Sequence, residues 1–174
     1  MALNLTPFEQ LQELSNEQLS NVVALLFEPA PDLVQIFKDE IKTSNSYIGL
    51  IESVRKRLLI LLQDNGNIQN SQEILEHIMN AHPRLGAKKV DSQQSQSEQK
   101  QLQDDATIAE LERLNKEYEA KYGIKYVVFV NGRGRDEIVV DMKKRIADSN
   151  VEKEKFTCLN AMCDIALDRH GKLH

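Results

Sequence analysis

The chain has 174 residues, 41% of them hydrophobic and 28% charged, enough apolar content to bury one core, which favours a single domain over residues 1–174. Its net charge of −5 is spread in both signs with no basic stripe, which argues against a nucleic-acid partner. No apolar run approaches a membrane span, Met1 to Phe8 lacks the features of a signal peptide, and Cys158 and Cys163 are too sparse for a disulfide framework or a metal site.

Helix signals dominate from the start. Thr6-Pro7-Phe8-Glu9 has a cap, a proline at the first helical position and an acidic residue three after the cap. Ser15 is expected to cap a helix to Phe27 that carries Leu19, Val22, Val23 and Leu26 at helical spacing. Glu28-Pro29-Ala30-Pro31 breaks the chain, and Asp32 is a cap for Leu33 to Ile41. Tyr47 to Gln63 puts Ile48, Ile51, Val54, Leu58, Leu61 and Leu62 at helical spacing, with Arg55, Lys56 and Arg57 on another face. Asp64-Asn65-Gly66-Asn67 is a turn, and Ser71 to Asn80 is a helix with Ile74, Leu75 and Ile78 on one face.

The texture changes after Pro83. Gly86 to Gln103 is rich in Ser, Gln and Lys, and by composition is a linker. Thr107 to Tyr122 is helical again, with Gly123 as a stop. Ile124 to Val130 is β-branched, aromatic and apolar, the composition of a short buried strand. Asn131-Gly132-Arg133-Gly134-Arg135 is a basic turn, Asp136 is a cap for the next helix, and Val151 to Arg169 is a final amphipathic helix. One strand candidate cannot make a sheet, so the expected fold is all-α, a multi-helix domain with one extended segment buried between helices. Extended backbone without a neighbouring strand leaves N–H and C=O groups that a ligand can take up.

Few residues stand out for chemistry. His82 directly precedes Pro83, so it is pushed out of helical geometry at the end of its helix. A helix C-terminus favours the imidazolium, which suits a proton donor near neutral pH; the same placement also suits a histidine that only satisfies the last carbonyls. Ser95-Gln96-Ser97-Glu98-Gln99 is dense in polar groups. Glu98 can hold an N–H-rich ligand such as a ureido group, or complete a capping box started by Ser95, or lie in a solvated linker. Arg133 and Arg135 can each grip a carboxylate, or form an exposed basic turn. No phosphate-binding glycine loop, zinc pattern or Ser/His/Asp arrangement is present.

The order of these pieces resembles one family, the decarboxylase of 2-oxo-4-hydroxy-4-carboxy-5-ureidoimidazoline. The resemblance is carried by Leu26-Phe27-Glu28-Pro29, by Ala81-His82-Pro83-Arg84-Leu85-Gly86, by Ser95-Gln96-Ser97-Glu98-Gln99, and by Leu114-Asn115-Lys116-Glu117-Tyr118 with Tyr122-Gly123 and the apolar run after it. It spans about Leu5 to Leu167. It implies an all-α lyase that turns the ureidoimidazoline into (S)-allantoin in urate and purine catabolism, without cofactor or metal, and commonly as a homodimer. By the same resemblance His82 is the acid–base residue, which steadies the charge left by departing CO2 and delivers a proton to one face. Glu98 binds and positions the substrate. Pro83, Ser95, Gln96, Ser97 and Gln99 line the site, and the backbone of Tyr126, Val127, Val128, Phe129 and Val130 hydrogen-bonds the planar ring.

The chain departs from the family pattern at several points. Arg84 follows His-Pro where an acidic or polar residue is usual, and Gly86-Ala87 replaces Ala-Gly. Glu98 follows His82 by 16 positions, a short connection. The family's arginine after the extended segment falls on Asn131, with Arg133 two positions later. The pattern is similar to a fungal-type branch of the family. The alternative is a non-catalytic helical binding protein that keeps the scaffold. The ending Gly171-Lys172-Leu173-His174 is not the peroxisomal Ser-Lys-Leu, so the expected location is cytoplasmic.

Overall fold

A computed structural model gives the fold and describes residues 4–64, 67–86, 93–102 and 104–173. The middle of the expected turn at Asn65-Gly66, the stretch 87–92 of the polar connection, Gln103 and His174 lie outside the described residues. All regular structure among the described residues is helical: α1 (Asn16–Leu26), α2 (Pro31–Ile41), α3 (Tyr47–Gln63), α4 (Ser71–Asn80), α5 (Gln93–Glu98), α6 (Asp105–Tyr122), α7 (Arg135–Asp148) and α8 (Val151–Lys172), with 3₁₀ turns at Phe8–Glu13 and Lys100–Leu102. None of these helices is long and apolar enough to cross a membrane.

The helix α8 runs through the centre. It packs along α3 and also touches α1 and α4, while α2 packs on α1, α3 and α4, and α7 pairs with α6. Cys158, Leu159, Ala161, Met162, Cys163, Ile165 and Ala166 of α8 are all buried, so this helix is covered on more than one side. Burial pushes the Cys163 thiol up to about 12 and raises that of Cys158, so both are held as unreactive thiols. Each fully buried leucine or isoleucine of α1, α2 and α3 adds roughly 1.5–3 kcal/mol of transfer free energy. Arg55 does not face water: its guanidinium donates to Asn160 Oδ1 (2.9 Å) and Asp164 Oδ1 (2.8 Å) and ties α3 to α8.

Local signals account for most element ends. Ser15 caps α1 through a capping box closed by Gln18, and Gly123 ends α6 at φ +71°. Three expected starts differ. After Pro7 the chain makes only a 3₁₀ turn with no side-chain cap, and the Thr6 carbonyl instead accepts from Tyr47 Oη at 2.5 Å. Pro31, not Asp32, opens α2, because proline's missing N–H costs nothing at a first helical position. Gly134 rather than Asp136 precedes α7. Ser95 lies inside α5, and its hydroxyl donates to Glu28 Oε1.

Candidate active site

The end of α4 sets the first wall. The His82 N–H donates to Met79 O (3.4 Å), and the chain then leaves helical geometry at Pro83. Lys125 Nζ donates to Asn80 O (2.7 Å) and to His82 O (3.4 Å), which pins this end to the extended segment. Beyond it, Gly86 turns at φ +73°, with its N–H donated to Gln99 Oε1 (2.8 Å), while Asn115 Nδ2 donates to Leu85 O (2.9 Å). Gln99 and Asn115 thus clamp the residues after His82.

His82 is 5% exposed, and its Nε2 is buried with no hydrogen-bond partner among the described residues. Burial, aided by the positive charges of Arg169 and Lys125, pushes its pKa down to about 3. The expectation of an imidazolium at the helix end is therefore overturned. The ring is neutral near pH 7, because desolvation and two nearby cations outweigh the helix dipole.

Glu98 is held by Arg169, with Nε–Oε1 at 2.7 Å and Nη2–Oε2 at 3.1 Å. Arg169 is 2% exposed and also donates to Glu28 Oε1 (2.9 Å), Ser95 Oγ (3.1 Å) and Leu26 O (3.4 Å). The Ser95 hydroxyl donates to Glu28 Oε1 at 2.6 Å. Glu28 itself takes φ +109°, a strained conformation for a residue with a Cβ, kept by this buried pair. The early break Leu26-Phe27-Glu28-Pro29 thus receives the arginine that fixes Glu98.

The segment 124–130 forms neither helix nor strand, and no strand lies beside it among the described residues. Side chains replace a neighbouring strand on its carbonyls. Arg145 Nη1 donates to Val127 O (3.2 Å), while Arg133 donates to Phe129 O (2.5 Å) and Val130 O (3.1 Å). Arg145 also pairs with the buried Glu154 (2.7 Å) and lies 4.4 Å from the centre of the Tyr126 ring, whose hydroxyl donates to Asp141. Among the described residues, no N–H from Tyr126 to Val130 is donated to a backbone carbonyl. Asn131 and Gly132 then turn at φ +48° and +73°.

These pieces enclose one cavity of about 210 Å³. His82, Pro83 and Leu85 line it from the end of α4, Ser95, Ser97 and Glu98 from α5 with Gln99 just after it, and Tyr126 to Gly132 from the segment before α7. The expected site residues therefore converge, with two exceptions. Gln96 is exposed and does not line the cavity. Arg133 does not line it either, because its guanidinium folds back on the carbonyls of Phe129 and Val130. Arg135 sits with Asp104 (3.6 Å) and Asp136 (3.7 Å) at the surface.

Sequence reasoning missed the contribution of α8, where Ile165, Asp168 and Lys172 complete the lining and Arg169 clasps Glu98. A signal for Arg169 was present. It continues the helical spacing of Cys158, Met162 and Ile165, so it occupies a core position, where an arginine requires a buried carboxylate.

Known proteins share the fold of this chain. The profile of the OHCU decarboxylase family, named for the initials of the ureidoimidazoline, matches residues 12–171. A crystal structure of OHCU decarboxylase in the presence of (S)-allantoin superposes with a TM-score of 0.58 at 19% identity, over 79% of this chain and 89% of that one. A structure of (S)-allantoin synthase superposes with a TM-score of 0.64 at 13% identity, over 97% of this chain and 54% of that one. No curated protein matches the chain in sequence. At these identities the structures share the fold, and the profile, which spans almost the whole chain, places this protein in the OHCU decarboxylase family.

Proposed function

We propose that the chain decarboxylates 2-oxo-4-hydroxy-4-carboxy-5-ureidoimidazoline to (S)-allantoin, with His82 and Glu98 as the reacting and positioning groups. The observation that carries the reading is the meeting of His82 Nε2, buried and unpaired among the described residues, with an arginine-fixed Glu98 in one cavity walled by the segment 126–130. In this substrate one ring carbon bears both hydroxyl and carboxylate. Breaking its bond to the carboxylate releases CO2 and leaves an electron pair conjugated with the ring C=N group. The C=N nitrogen and the neighbouring carbon each take a proton, the hydroxyl loses one, and allantoin results.

A neutral imidazole suits this proton traffic. His82 accepts the hydroxyl proton as charge develops and returns a proton to the adjacent carbon from its own side, which gives a single stereoisomer. Glu98, oriented by Arg169, accepts from the ureido N–H groups. The N–H groups of 126 and 128–130 stabilise the charge spread over the ring, preorganised at no further cost during reaction, while that of Val127 is given to Cys158 Sγ. All of these groups belong to the protein, so no cofactor enters the scheme. The non-catalytic alternative draws on Arg133, which is turned away from the cavity.

The test generates the unstable substrate from urate with an oxidase and a hydrolase, and follows allantoin by circular dichroism. Wild type should give an optically active product, with the enzymatic rate at least 100-fold lower in His82→Ala. A wild-type trace no faster than the racemic background would refute the decarboxylase reading.

A further inference from the structure

The substrate proposed above carries a carboxylate, and the inference drawn here rests on that reading. The cations near the cavity are mostly committed elsewhere. Arg133 is bound to the carbonyls of Phe129 and Val130, Arg169 lies between Glu28 and Glu98, and Lys125 holds the carbonyls that end α4. Among the described residues the cation that does line the cavity is Lys172, in the last turn of α8. Its side chain is 67% exposed, and its Nζ lies 2.7 Å from Asp168 Oδ2, which lines the same cavity.

We propose that Lys172 receives the substrate's carboxylate, exchanging Asp168 for it on binding and releasing it as CO2 leaves. The chemistry favours a weak, wet cation here over a buried arginine. The carboxylate's charge disappears from that group when the C–C bond breaks. A cation gripping it tightly would stabilise the bound substrate more than the transition state, and so slow the step. An exposed ammonium beside a carboxylate contributes modestly and is readily rehydrated, so it aids capture without opposing bond cleavage. Lys172 is thus a specificity residue that separates the carboxylate-bearing substrate from the product, which lacks the group.

The experiment compares wild type, Lys172→Gln and Lys172→Arg in the coupled dichroism assay, with inhibition by (S)-allantoin measured alongside. Because Lys172 is exposed at the end of a helix, both variants should fold. Lys172→Gln is expected to raise KM about three- to five-fold, the range an exposed ion pair supports, with kcat held within about two-fold. Lys172→Arg should keep the wild-type KM, and the inhibition constant of (S)-allantoin should be the same in all three. In 0.5 M NaCl the difference in KM should shrink through screening. An unchanged KM in Lys172→Gln, with wild type turning over stereospecifically, overturns this role and leaves the decarboxylase intact. A matching loss of allantoin binding also overturns it, since Lys172 would then shape the cavity rather than meet the carboxylate. A wild type without stereospecific turnover removes both readings together.

Discussion

His82 enters the site without charge, and its protonation sets two pH dependences. Its folded pKa of about 3 lies below the ordinary 6.5 because the ring is buried and faces Arg169 and Lys125. The base form is therefore present throughout the neutral range, and kcat/KM should show no acid limb near pH 6.5. A profile measured from pH 5 to 8 that bends at 6.5 with the His82 pKa would contradict the buried, neutral ring. Stability follows the same asymmetry. The unfolded chain takes up a proton near 6.5 that the folded chain refuses until about 3, so this contribution is complete above pH 6.5 and is lost as pH falls toward 3. His82→Phe removes the effect. The drop in urea midpoint between pH 7 and pH 4.5 should be smaller in that variant than in wild type.

At the scale of elements, the segment 124–130 is the piece whose support no local pattern disclosed. Val127, Val128, Phe129 and Val130 have the β-branched and aromatic character of a strand, and the chain there is outside any helix with no strand partner among the described residues. What holds it is a set of arginines from later in the chain, and no periodicity assigns a guanidinium to a particular carbonyl. Arg145 matters most, since it joins Val127 O to the buried Glu154. Arg145→Met leaves that carboxylate uncompensated and should cost about 3–5 kcal/mol in chemical denaturation. The turn at Gly86 is the other sensitive element. A Cβ there would lie 2.8 Å from Leu111 Cδ1, at a φ of +73° that disfavours side chains. Gly86→Ala should cost roughly 1–3 kcal/mol and weaken turnover by displacing Leu85 and Pro83 from the cavity wall. A variant as stable and active as wild type would show that the turn carries no such constraint. Helix limits at Tyr47–Gln63 and Ser71–Asn80 were legible because apolar spacing and end signals agree there. The starts at Thr6, Asp32 and Asp136 were misread because a neighbouring proline or glycine competes with the cap.

The whole molecule depends on how its last helix meets its first break. Local motifs revealed His82, Glu98 and the extended segment, but the side of the site built by α8 was hidden, because contacts across 71 and 141 positions leave no short-range pattern. Arg169 shows what those contacts do. It joins Glu28 after α1, Glu98 of α5 and its own helix in one buried centre. The short helix α5 is also tied by Gln94 Nε2 to Leu25 O, Ser95 to Glu28 and Gln99 to Gly86. A six-residue helix of Gln, Ser and Glu has too few turns and too little apolar surface to persist alone. Arg169→Met, which keeps side-chain length but leaves Glu28 and Glu98 without their cation, should therefore act unevenly. Global stability should fall by about 3–5 kcal/mol, while amide exchange in 93–99 should rise toward that of an unprotected chain and the centres of α3 and α8 stay protected. Adding Glu28→Gln removes one of the stranded charges and should restore part of the stability without restoring turnover, because Glu98 still lacks its orienting partner. If exchange instead accelerated uniformly over all helices in Arg169→Met, α5 would be shown to depend on the core as a whole rather than on this one cation.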